Sequence, residues 1–512
     1  MKKNFVDNEW GYDVAHTNPF WIALYNLREV AKASVGEGSV FDLSRGDPGY
    51  GRAPSVQGRE FYSYLLFIDT LINNPDNHYV YDTRIFEEVM EFVKEKTHEQ
   101  YSREIADKLL GELDFFLLEI VRMADAQGIV IEKDEVFFEV FKYASVSGGC
   151  YHDPQGEKVC RIVIADLYSR ELKEKIHADD LIFVRGVSDG IGTFFKLMGE
   201  EGIGFLKAGD TVVAPSPAYA PYNQIFINRG INVLPVALDK TTGDIDDESR
   251  KKINEFEGNI KAVILIDPNN PTGLVATEMF KDTICRIAEK HNSIILTDEV
   301  YSLFFSNMTF IQPKSPKRVI RINGRSKIER STGLRFADYM IPEETNQFIT
   351  NEILRDYLPA DQDLKKALTL AKAPGGVKGE FMHTTFVTGP SQFLGICHIV
   401  FGEDERHQYA EHVQKISKEF AELLGFTYQT NSYYFVFNMN DIASERKKAL
   451  PAEQKFKELA ERGIVLIPAY LFYSEKEKQD PNMKNMARAC LPNLTPMAIR
   501  QAANIIRSYL QE

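Results

Sequence analysis

The feature that most constrains the fold is a regular alternation of short apolar runs and helical stretches between about residues 166 and 345. The apolar runs are rich in β-branched residues and read DDLIFVRG, DTVVAPS, INVLPVAL, KAVILID, SIILTDEVY and RVIRING. Apolar strands separated by helices predict an α/β fold with a mostly parallel sheet covered by helices on both faces. The helix predicted from EMFKDTICRIAEKHN has one apolar face, formed by Met279, Phe280, Ile284 and Ile287.

The regions on either side of this alternation predict further domains, since 512 residues exceed one ordinary hydrophobic core. Residues 1–165 are helix-rich and predict an N-terminal arm with a helical extension, followed by a large domain over 166–345. A charged stretch over 346–385 predicts a helical insert. Residues 386–512 predict a smaller α/β domain, with strands in YYFVFNM and GIVLIPA and a terminal helix in PMAIRQAANIIRSYLQE.

The composition indicates a globular protein, with 44% hydrophobic and 26% charged residues. A net charge of −14 argues against nonspecific binding to nucleic acid or anionic lipid. We find no secretory signal and no window of about 18 uncharged apolar residues that could span a membrane. The cysteines are scattered and form no zinc-binding pattern: Cys150, Cys160, Cys285, Cys397 and Cys490. We therefore expect a cytoplasmic protein with reduced thiols, without a metal, nucleic acid or membrane partner.

Unusual polar and aromatic side chains follow the predicted strands at the points where the strands end. KAVILID is followed by Pro-Asn-Asn-Pro-Thr-Gly, in which Asn269 and Asn270 stand between prolines. SIILT is followed by Asp298 and Tyr301, and TVVA by a proline-stiffened loop that contains Tyr219. Prolines and a glycine explain why a strand stops, but they do not explain two asparagines. Because ligands bind at the carboxyl ends of parallel strands, we expect these residues to form a site.

Two further strand ends carry groups suited to a phosphate. LIFVRG is followed by a Gly-Val-Ser-Asp-Gly turn containing Ser188 and Asp189, which leads into a helix whose N–H groups favour an anion. RVIRING is followed by Ser326 and Lys327, and Arg335 lies shortly beyond in STGLRFADYM. Each residue alone also has a structural interpretation, for example as a solvated charge or an ion-pair partner. Their common position at strand ends favours a shared site.

The order Asn-Pro-Thr-Gly, Asp-x-x-Tyr, Ser-Lys and Gly-Leu-Arg resembles the fold-type I pyridoxal-phosphate enzymes of the aspartate aminotransferase superfamily, the class I/II aminotransferases. The resemblance is strongest over residues 165–345, and Met486-Ala487-Arg488 resembles the carboxylate-binding arginine of that family. It implies an enzyme with pyridoxal 5'-phosphate as cofactor and an amino acid and a 2-oxo acid as substrates. It also implies a homodimer or a larger homo-oligomer.

The resemblance implies a role at the cofactor ring for five residues. Lys327 would bind the cofactor aldehyde covalently and move a proton during catalysis. Asp298 would keep the ring nitrogen protonated. Asn270 and Tyr301 would donate hydrogen bonds to the ring oxygen, with Tyr219 against the ring face; Asn269 would form the turn. The Asn270–Pro271 bond is expected to be cis.

The resemblance also implies a phosphate site and a departure from the family pattern. Ser188, Asp189, Ser326 and Arg335 would hold the phosphate. Tyr81, in NHYVYDTR, would correspond to a tyrosine that a neighbouring subunit lends to this site.

Family members usually have serine at the position of Gly324 and glycine at that of Ala337. The phosphate site is therefore expected to lack one hydroxyl.

Five segments resemble the bifunctional aspartate aminotransferase / aspartate 4-decarboxylase group: LSRGDPGY, SGGCYHDP, FLKAGDTVVAPSPAYAPY, HTTFVTGPSQFLG and ARACLPNLT. This resemblance implies transamination of aspartate to oxaloacetate, 4-decarboxylation of aspartate to alanine and carbon dioxide, or both. Arg488 and Asn270 would bind the substrate. Arg45, in the RGDP turn, would contact the substrate or, equally, cap its own turn as a solvated arginine.

Two alternatives remain open. The first is an aminotransferase for another amino acid. The second is an aminotransferase-like regulator without catalysis, which the acidic net charge and the lack of a basic recognition helix disfavour.

Overall fold

The computed structural model describes residues 19–48, 55–74, 82–144, 151–199, 205–237, 244–305, 308–353, 376–384, 387–427, 433–473, 478 and 481–512. The helices before residue 300 are α1 (Pro19–Val35), α2 (Val56–Ile72), α3 (Phe86–Gln100), α4 (Arg103–Gln127), α5 (Lys133–Tyr143), α6 (Lys158–Leu172), α7 (Val187–Met198), α8 (Ala220–Asn228), α9 (Asp247–Asn254) and α10 (Glu278–His291). The later helices are α11 (Glu343–Phe348), α12 (Gly376–Thr384), α13 (Gly389–Phe401), α14 (Glu403–Leu424), α15 (Glu445–Lys448), α16 (Ala452–Glu461), α17 (Pro481–Lys484) and α18 (Pro496–Gln511).

The strands are β1 (Phe41–Asp42), β2 (Leu181–Val184), β3 (Thr211–Pro215), β4 (Asn232–Val236), β5 (Ile260–Ile266), β6 (Ile294–Asp298), β7 (Val319–Gly324), β8 (Ala337–Met340), β9 (Tyr434–Asn438), β10 (Ile464–Val465), β11 (Ile467–Pro468) and β12 (Met486–Cys490). Every strand predicted from the sequence is present, whereas β1, β8 and β12 were not predicted. Among the described residues, no helix is both long enough and apolar enough to cross a membrane.

The chain divides into two compact units. The first unit comprises Met1–Arg52, Gly204–Phe305 and Tyr409–Glu512, and the second comprises Ala53–Ile203 and Ser306–Gln408. This division follows spatial contacts, so the four domains expected from composition along the chain stay a prediction.

The first unit contains four parallel strands in the order β6-β5-β3-β4. All residues of β5 and β6 are buried, which explains their unbroken apolar sequences. Because β3, β5 and β6 run in the same direction, their carboxyl ends lie at one edge of the sheet. The three loops that carry Tyr219, Asn270 and Tyr301 therefore leave the sheet at this edge.

Helix α10 buries three of the four residues that were predicted to share its apolar face. Phe280, Ile284 and Ile287 are buried, whereas Met279 is 47% exposed. The reason is Lys281, which is fully buried and pairs with Asp267 at 3.2 Å. This ion pair turns the buried face of the helix toward Lys281 and leaves Met279 at its solvent-exposed edge.

The remaining strands of the first unit form two small sheets. Strand β12 lies between β11 and β9, antiparallel to both, and β1 pairs in parallel with β10. Apolar residues of α1, α16 and α18 pack with these strands in one core. Arg488 lies at the centre of β12, opposite Val436 of β9 and Ile467 of β11.

The second unit contains most of the N-terminal helices and the strands β2, β8 and β7. Strand β8 is antiparallel to both β2 and β7, and Ala337 at its start pairs with both Val184 and Gly324. Because β2 and β7 therefore share one direction, their carboxyl ends lie on either side of Ala337. The two predicted phosphate-binding segments begin at these ends.

Candidate active site

In the first unit, the loop after β5 buries Asn270 and directs its amide group. The Asn270–Pro271 peptide bond is cis, as predicted. The side-chain oxygen of Asn270 accepts a hydrogen bond from Nη1 of Arg488 at 3.1 Å. An arginine has only donors, so the oxygen of the amide must face Arg488. The amide N–H₂ group consequently points away from Arg488, and its predicted hydrogen bond to the cofactor stays a prediction.

Asn269 forms the turn, as predicted, and also joins two loops. Its Oδ1 accepts hydrogen bonds from the backbone N–H and the hydroxyl of Thr272, at 3.2 and 2.9 Å. Its Nδ2 donates to the carbonyl oxygen of Pro217 at 3.1 Å. Pro217 belongs to the loop that carries Tyr219, so Asn269 fixes the Asn270 loop against the Tyr219 loop.

Asp298 is a buried carboxylate at the end of β6. Its Oδ2 accepts a hydrogen bond from the Tyr222 hydroxyl at 3.4 Å, and its Oδ1 accepts one from the backbone N–H of Val300 at 3.3 Å. Its buried position at the carboxyl end of a parallel strand is compatible with the predicted role beside a protonated ring nitrogen. Sequence analysis did not identify Tyr222.

Arg488 is a buried cation without a carboxylate partner among the described residues. It is 3% exposed, and it donates to Asn270 and to the carbonyl oxygen of Ser44, the latter at 3.1 Å. Its guanidinium carbon lies 4.1 Å from the ring centre of Tyr434 and 5.0 Å from that of Phe472. Its Nε has no hydrogen-bond partner in the described part of the chain. A buried guanidinium with neutral partners favours an anionic ligand, which fits carboxylate binding.

Tyr301 lies beside a tyrosine that sequence analysis missed. Its hydroxyl oxygen is 2.7 Å from that of Tyr434, and both side chains are buried. Burial raises the pKa of both hydroxyls above their usual range, so both are protonated at neutral pH. Tyr301 therefore has a proton to donate. The predicted strand YYFVFNM contains Tyr434, but nothing in that segment distinguishes it from a core residue.

Arg45 lies in a turn next to Arg488 and pairs within that turn. Its Nη2 is 2.7 Å from Oδ2 of Asp47. The contact between Ser44 and Arg488 places the turn beside the predicted carboxylate site. The pairing with Asp47 agrees with the turn-capping alternative, and a contact with substrate stays a prediction.

In the second unit, the guanidinium of Arg335 lies against the backbone of Gly186, just before α7. Gly186 has a φ of 87°, and a Cβ atom there would be 2.5 Å from Nη2 of Arg335. Only glycine allows this approach. Arg335 itself has a left-handed φ of 52°, which for a residue other than glycine costs on the order of 1 kcal/mol. Among the described residues no carboxylate pairs with Arg335, so the guanidinium and the start of α7 together fit a phosphate.

Ser188 and Asp189 lie in the first turn of α7, where backbone N–H groups have no intrahelical acceptor. The carboxylate of Asp189 lies 3.4 Å from Nε of Arg185. A carboxylate would repel a phosphate, so the useful group of Asp189 is its backbone N–H.

Lys327 lies in a short loop that begins directly after β7. The carbonyl oxygen of Lys327 accepts a hydrogen bond from the Arg330 N–H at 3.1 Å, and that of Ser326 accepts one from the Thr332 hydroxyl at 3.0 Å. The loop is thus closed by one backbone and one side-chain hydrogen bond, and Lys327 is half-buried.

A buried ion pair anchors this loop, and sequence analysis did not predict it. Arg325 is fully buried and lies 3.2 Å from Oδ2 of Asp338 on β8. Tyr168 of α6 donates to Asp338 at 2.8 Å and accepts a hydrogen bond from Arg325. Because Arg325 precedes Ser326, this anchor fixes where the loop leaves the sheet.

The two departures from the family pattern are neighbours in space. A Cβ atom on Gly324 would lie 2.8 Å from Cγ2 of Val187 and 3.1 Å from Cβ of Ala337. Ala337 and Val187 therefore occupy the space that a side chain at position 324 would need. The glycine and the alanine are two parts of one packing arrangement.

The structure gathers the predicted site residues into two groups, one in each unit. The first unit holds Tyr219, Asn270, Asp298, Tyr301, Arg488 and Arg45, and the second holds Ser188, Asp189, Ser326, Lys327 and Arg335. Tyr81 lies outside the described residues.

Comparison with known proteins identifies the family. Residues 134–506 match the model of the family "Aminotransferase class I and II", and the chain belongs to this family. The predicted cofactor, pyridoxal 5'-phosphate, is confirmed by this membership.

Individual relatives share the fold but differ in the substrate that they are named for. The aspartate aminotransferase of Thermotoga maritima is 31% identical over 204 residues, which are 38% of this chain and 50% of that protein. The glutamate-pyruvate aminotransferase AlaA of Escherichia coli is 27% identical over 209 residues, which are 40% of this chain and 49% of that protein. The chain thus spans about half the length of the curated relatives it matches.

Solved structures confirm the predicted fold. The Thermotoga maritima aspartate aminotransferase matches with a TM-score of 0.58 at 18% identity, over 95% of this chain and 96% of that one. Bna3p of Saccharomyces cerevisiae, a putative kynurenine aminotransferase, matches with a TM-score of 0.62 at 17% identity, over 98% of both chains. The fold is therefore the α/β fold of aspartate aminotransferase-like enzymes, with a mostly parallel central sheet. The narrower assignment to aspartate 4-decarboxylases stays a prediction.

Proposed function

We propose that the protein transfers the amino group of aspartate to a 2-oxo acid with pyridoxal phosphate as cofactor, and that it acts as a homodimer or larger homo-oligomer. The observation that carries this proposal is Arg488, a buried guanidinium with no carboxylate partner in the described part of the chain. In the described part of the chain, Asn270 and Ser44 accept one hydrogen bond each from Nη1 and Nη2, and Nε has no partner, so N–H groups of this guanidinium are available to a carboxylate.

The cofactor, when bound, withdraws electrons from the substrate carbon that carries the amino group. Lys327 would hold the cofactor in the resting enzyme and move a proton to and from the substrate carbon. Asp298 would keep the ring nitrogen protonated. Asn270 and Tyr301 would donate to the ring oxygen, and Tyr219 would lie against the ring.

The second group of residues would hold the phosphate. The backbone N–H groups of Ser188 and Asp189 and the hydroxyl of Ser326 would donate to its oxygens, and Arg335 would supply the compensating charge. Gly324 adds no hydroxyl to these groups.

The preference for a dicarboxylic substrate rests on the turn beside Arg488. Ser44 contacts Arg488 directly, and Arg45 follows Ser44 in the chain. If Arg45 exchanges Asp47 for a ligand, it offers a second cation to a second carboxylate. Aspartate and glutamate carry one, whereas alanine does not.

A second candidate function is 4-decarboxylation of aspartate, and one observation favours it. Two segments that resemble the decarboxylase group are hydrogen-bonded to each other. The N–H of Cys490 donates to the Leu43 carbonyl at 2.6 Å, and Nδ2 of Asn493 donates to that of Asp42 at 2.8 Å. Together they would surround the substrate's second carboxylate, and release of carbon dioxide from it requires that water be kept away.

The test incubates the purified protein and pyridoxal phosphate with aspartate, first alone and then with 2-oxoglutarate. We expect each enzyme molecule to form many molecules of oxaloacetate and glutamate only when 2-oxoglutarate is present. Sustained formation of alanine and carbon dioxide from aspartate alone would establish the second candidate. Amino transfer from a different donor, with none from aspartate, would refute the aspartate proposal, and no transfer from any amino acid would favour a regulator.

A further inference from the structure

Tyr434 is the first residue of β9 and touches two residues of the candidate site. Its hydroxyl oxygen lies 2.7 Å from that of Tyr301. Its ring centre lies 4.1 Å from the guanidinium carbon of Arg488. The side chain is 2% exposed, and neither the sequence motifs nor the proposed function assign it a role.

The pairing of β9 with β12 fixes the contact between Tyr434 and Arg488. Arg488 stands opposite Val436, and Tyr434 stands opposite Cys490. Residues two positions apart on a strand share a face, so Tyr434 is a diagonal neighbour of Arg488 on one side of the sheet. An aromatic ring at this distance attracts the cation and keeps the planar guanidinium in place.

A ligand on Tyr301 decides which of the two tyrosine hydroxyls donates the hydrogen bond between them. A tyrosine hydroxyl has one proton. If Tyr301 gives its proton to the ring oxygen of the cofactor, its own oxygen must accept the proton of Tyr434. Hydrogen bonds in such a chain polarise one another, so a donor behind Tyr301 makes Tyr301 a stronger donor.

We propose that Tyr434 is a positioning residue with two separable functions: its hydroxyl strengthens the hydrogen bond that Tyr301 donates to the cofactor, and its ring holds Arg488 in place for a substrate carboxylate. This inference rests on the proposed function, because it assumes that the cofactor and the carboxylate bind at these two residues.

Two substitutions separate the two functions. Tyr434→Phe removes the hydroxyl and keeps the ring, whereas Tyr434→Leu removes both. Tyr433→Phe is the matched control. Tyr433 is also buried, and its ring centre lies 5.2 Å from that of Tyr301, but its hydroxyl contacts the Gly46 carbonyl at 3.4 Å.

The experiment measures two equilibrium properties of the cofactor-loaded protein. One is the apparent pKa at which its visible absorption band changes, and the other is the Kd of succinate, a dicarboxylate without an amino group. In Tyr434→Phe we expect the apparent pKa to rise by about half a unit to one unit, because a weaker hydrogen bond leaves more negative charge on the ring oxygen. Its Kd for succinate should stay within about twofold of wild type. In Tyr434→Leu the Kd should rise at least about fivefold as well.

An unchanged apparent pKa in Tyr434→Phe would overturn the inference, and so would an equal shift in the control Tyr433→Phe. A succinate Kd that rises as much in Tyr434→Phe as in Tyr434→Leu would overturn the assignment of the ring to Arg488. These outcomes leave the proposed function intact. A wild-type protein that shows no visible band with pyridoxal phosphate would instead refute the proposed function itself.

Discussion

Replacement of Gly324 by alanine tests how closely the end of β7 is packed. The added Cβ would lie 2.8 Å from Cγ2 of Val187 and 3.1 Å from Cβ of Ala337, its partner in the β7–β8 register. Overpacking of this kind costs about 1–3 kcal/mol. Alanine also restricts the unfolded chain, which offsets about 0.4–1 kcal/mol of that cost. We therefore expect Gly324→Ala to lower the free energy of unfolding by about 1–2 kcal/mol.

A double-mutant cycle with Ala337→Gly locates the source of this loss. Removing the methyl group of Ala337 relieves the contact at 3.1 Å but leaves the contact with Val187. We expect the loss caused by Gly324→Ala to be smaller by about 0.5–1 kcal/mol in the Ala337→Gly background. The assay is urea unfolding of the four cofactor-free proteins. Equal stability of Gly324→Ala and wild type, or strict additivity of the two substitutions, would refute this account of why position 324 is glycine.

Three further predictions concern binding and stability. Arg488→Lys keeps the charge but loses the planar fork, so steady-state kinetics should show a KM for aspartate raised at least about tenfold and a smaller change in kcat; an unchanged KM would contradict carboxylate binding at Arg488. Asn269→Asp keeps the acceptor for the turn but removes the donor to Pro217, so the Kd of pyridoxal phosphate should rise about three- to tenfold, with a larger rise in Asn269→Ala; wild-type affinity in both would show that the link between the loops is unimportant. Burial and, secondarily, two nearby arginines lower the pKa of His398 to about 4. In the unfolded chain the same histidine has a pKa of about 6.5, so between pH 6.5 and pH 4 the unfolded state binds the proton more readily than the folded state. The free energy of unfolding should therefore fall by up to about 3 kcal/mol as the pH is lowered from 6.5 to 4. His398→Gln should flatten this dependence in urea unfolding measured across that range, and an unaltered slope would contradict the shift.

The parallel strands could be predicted from the sequence because they are buried on both faces. In β5 and β6 every side chain is buried, so the strands appear as unbroken apolar runs between turn residues. Strand β12, which carries Arg488, has the sequence MARAC, which contains no β-branched residue. Such a strand is stabilised by its two neighbours, and nothing in its own sequence indicates it.

The site residues could be predicted to the extent that each follows a strand. Asn270 and Asp298 lie at the ends of buried apolar runs, where a polar side chain is costly unless it has a partner. Tyr434 could not be identified in the same way, because a tyrosine in an apolar strand is usually part of the core. Its role emerges only from the contacts with Tyr301 and Arg488, which come from distant parts of the chain.

Helix α10 shows the limit of periodicity. The pattern placed Met279 on one apolar face with Phe280, Ile284 and Ile287, and it gave no sign that Lys281 is buried. Lys281 is buried and pairs with Asp267, whereas Met279 is exposed. The local sequence does not indicate that a charged residue is buried when its ion-pair partner lies in another element.

Chemical trapping tests most directly whether Lys327 binds the cofactor. The protein loaded with pyridoxal phosphate is reduced with borohydride, which fixes the cofactor to the lysine that holds it, and is then digested and analysed by mass spectrometry. We expect one modified peptide, with the phosphopyridoxyl group on Lys327, and no modification at that site in Lys327→Ala. Stoichiometric modification of a different lysine, or none at all in the loaded protein, would contradict this expectation.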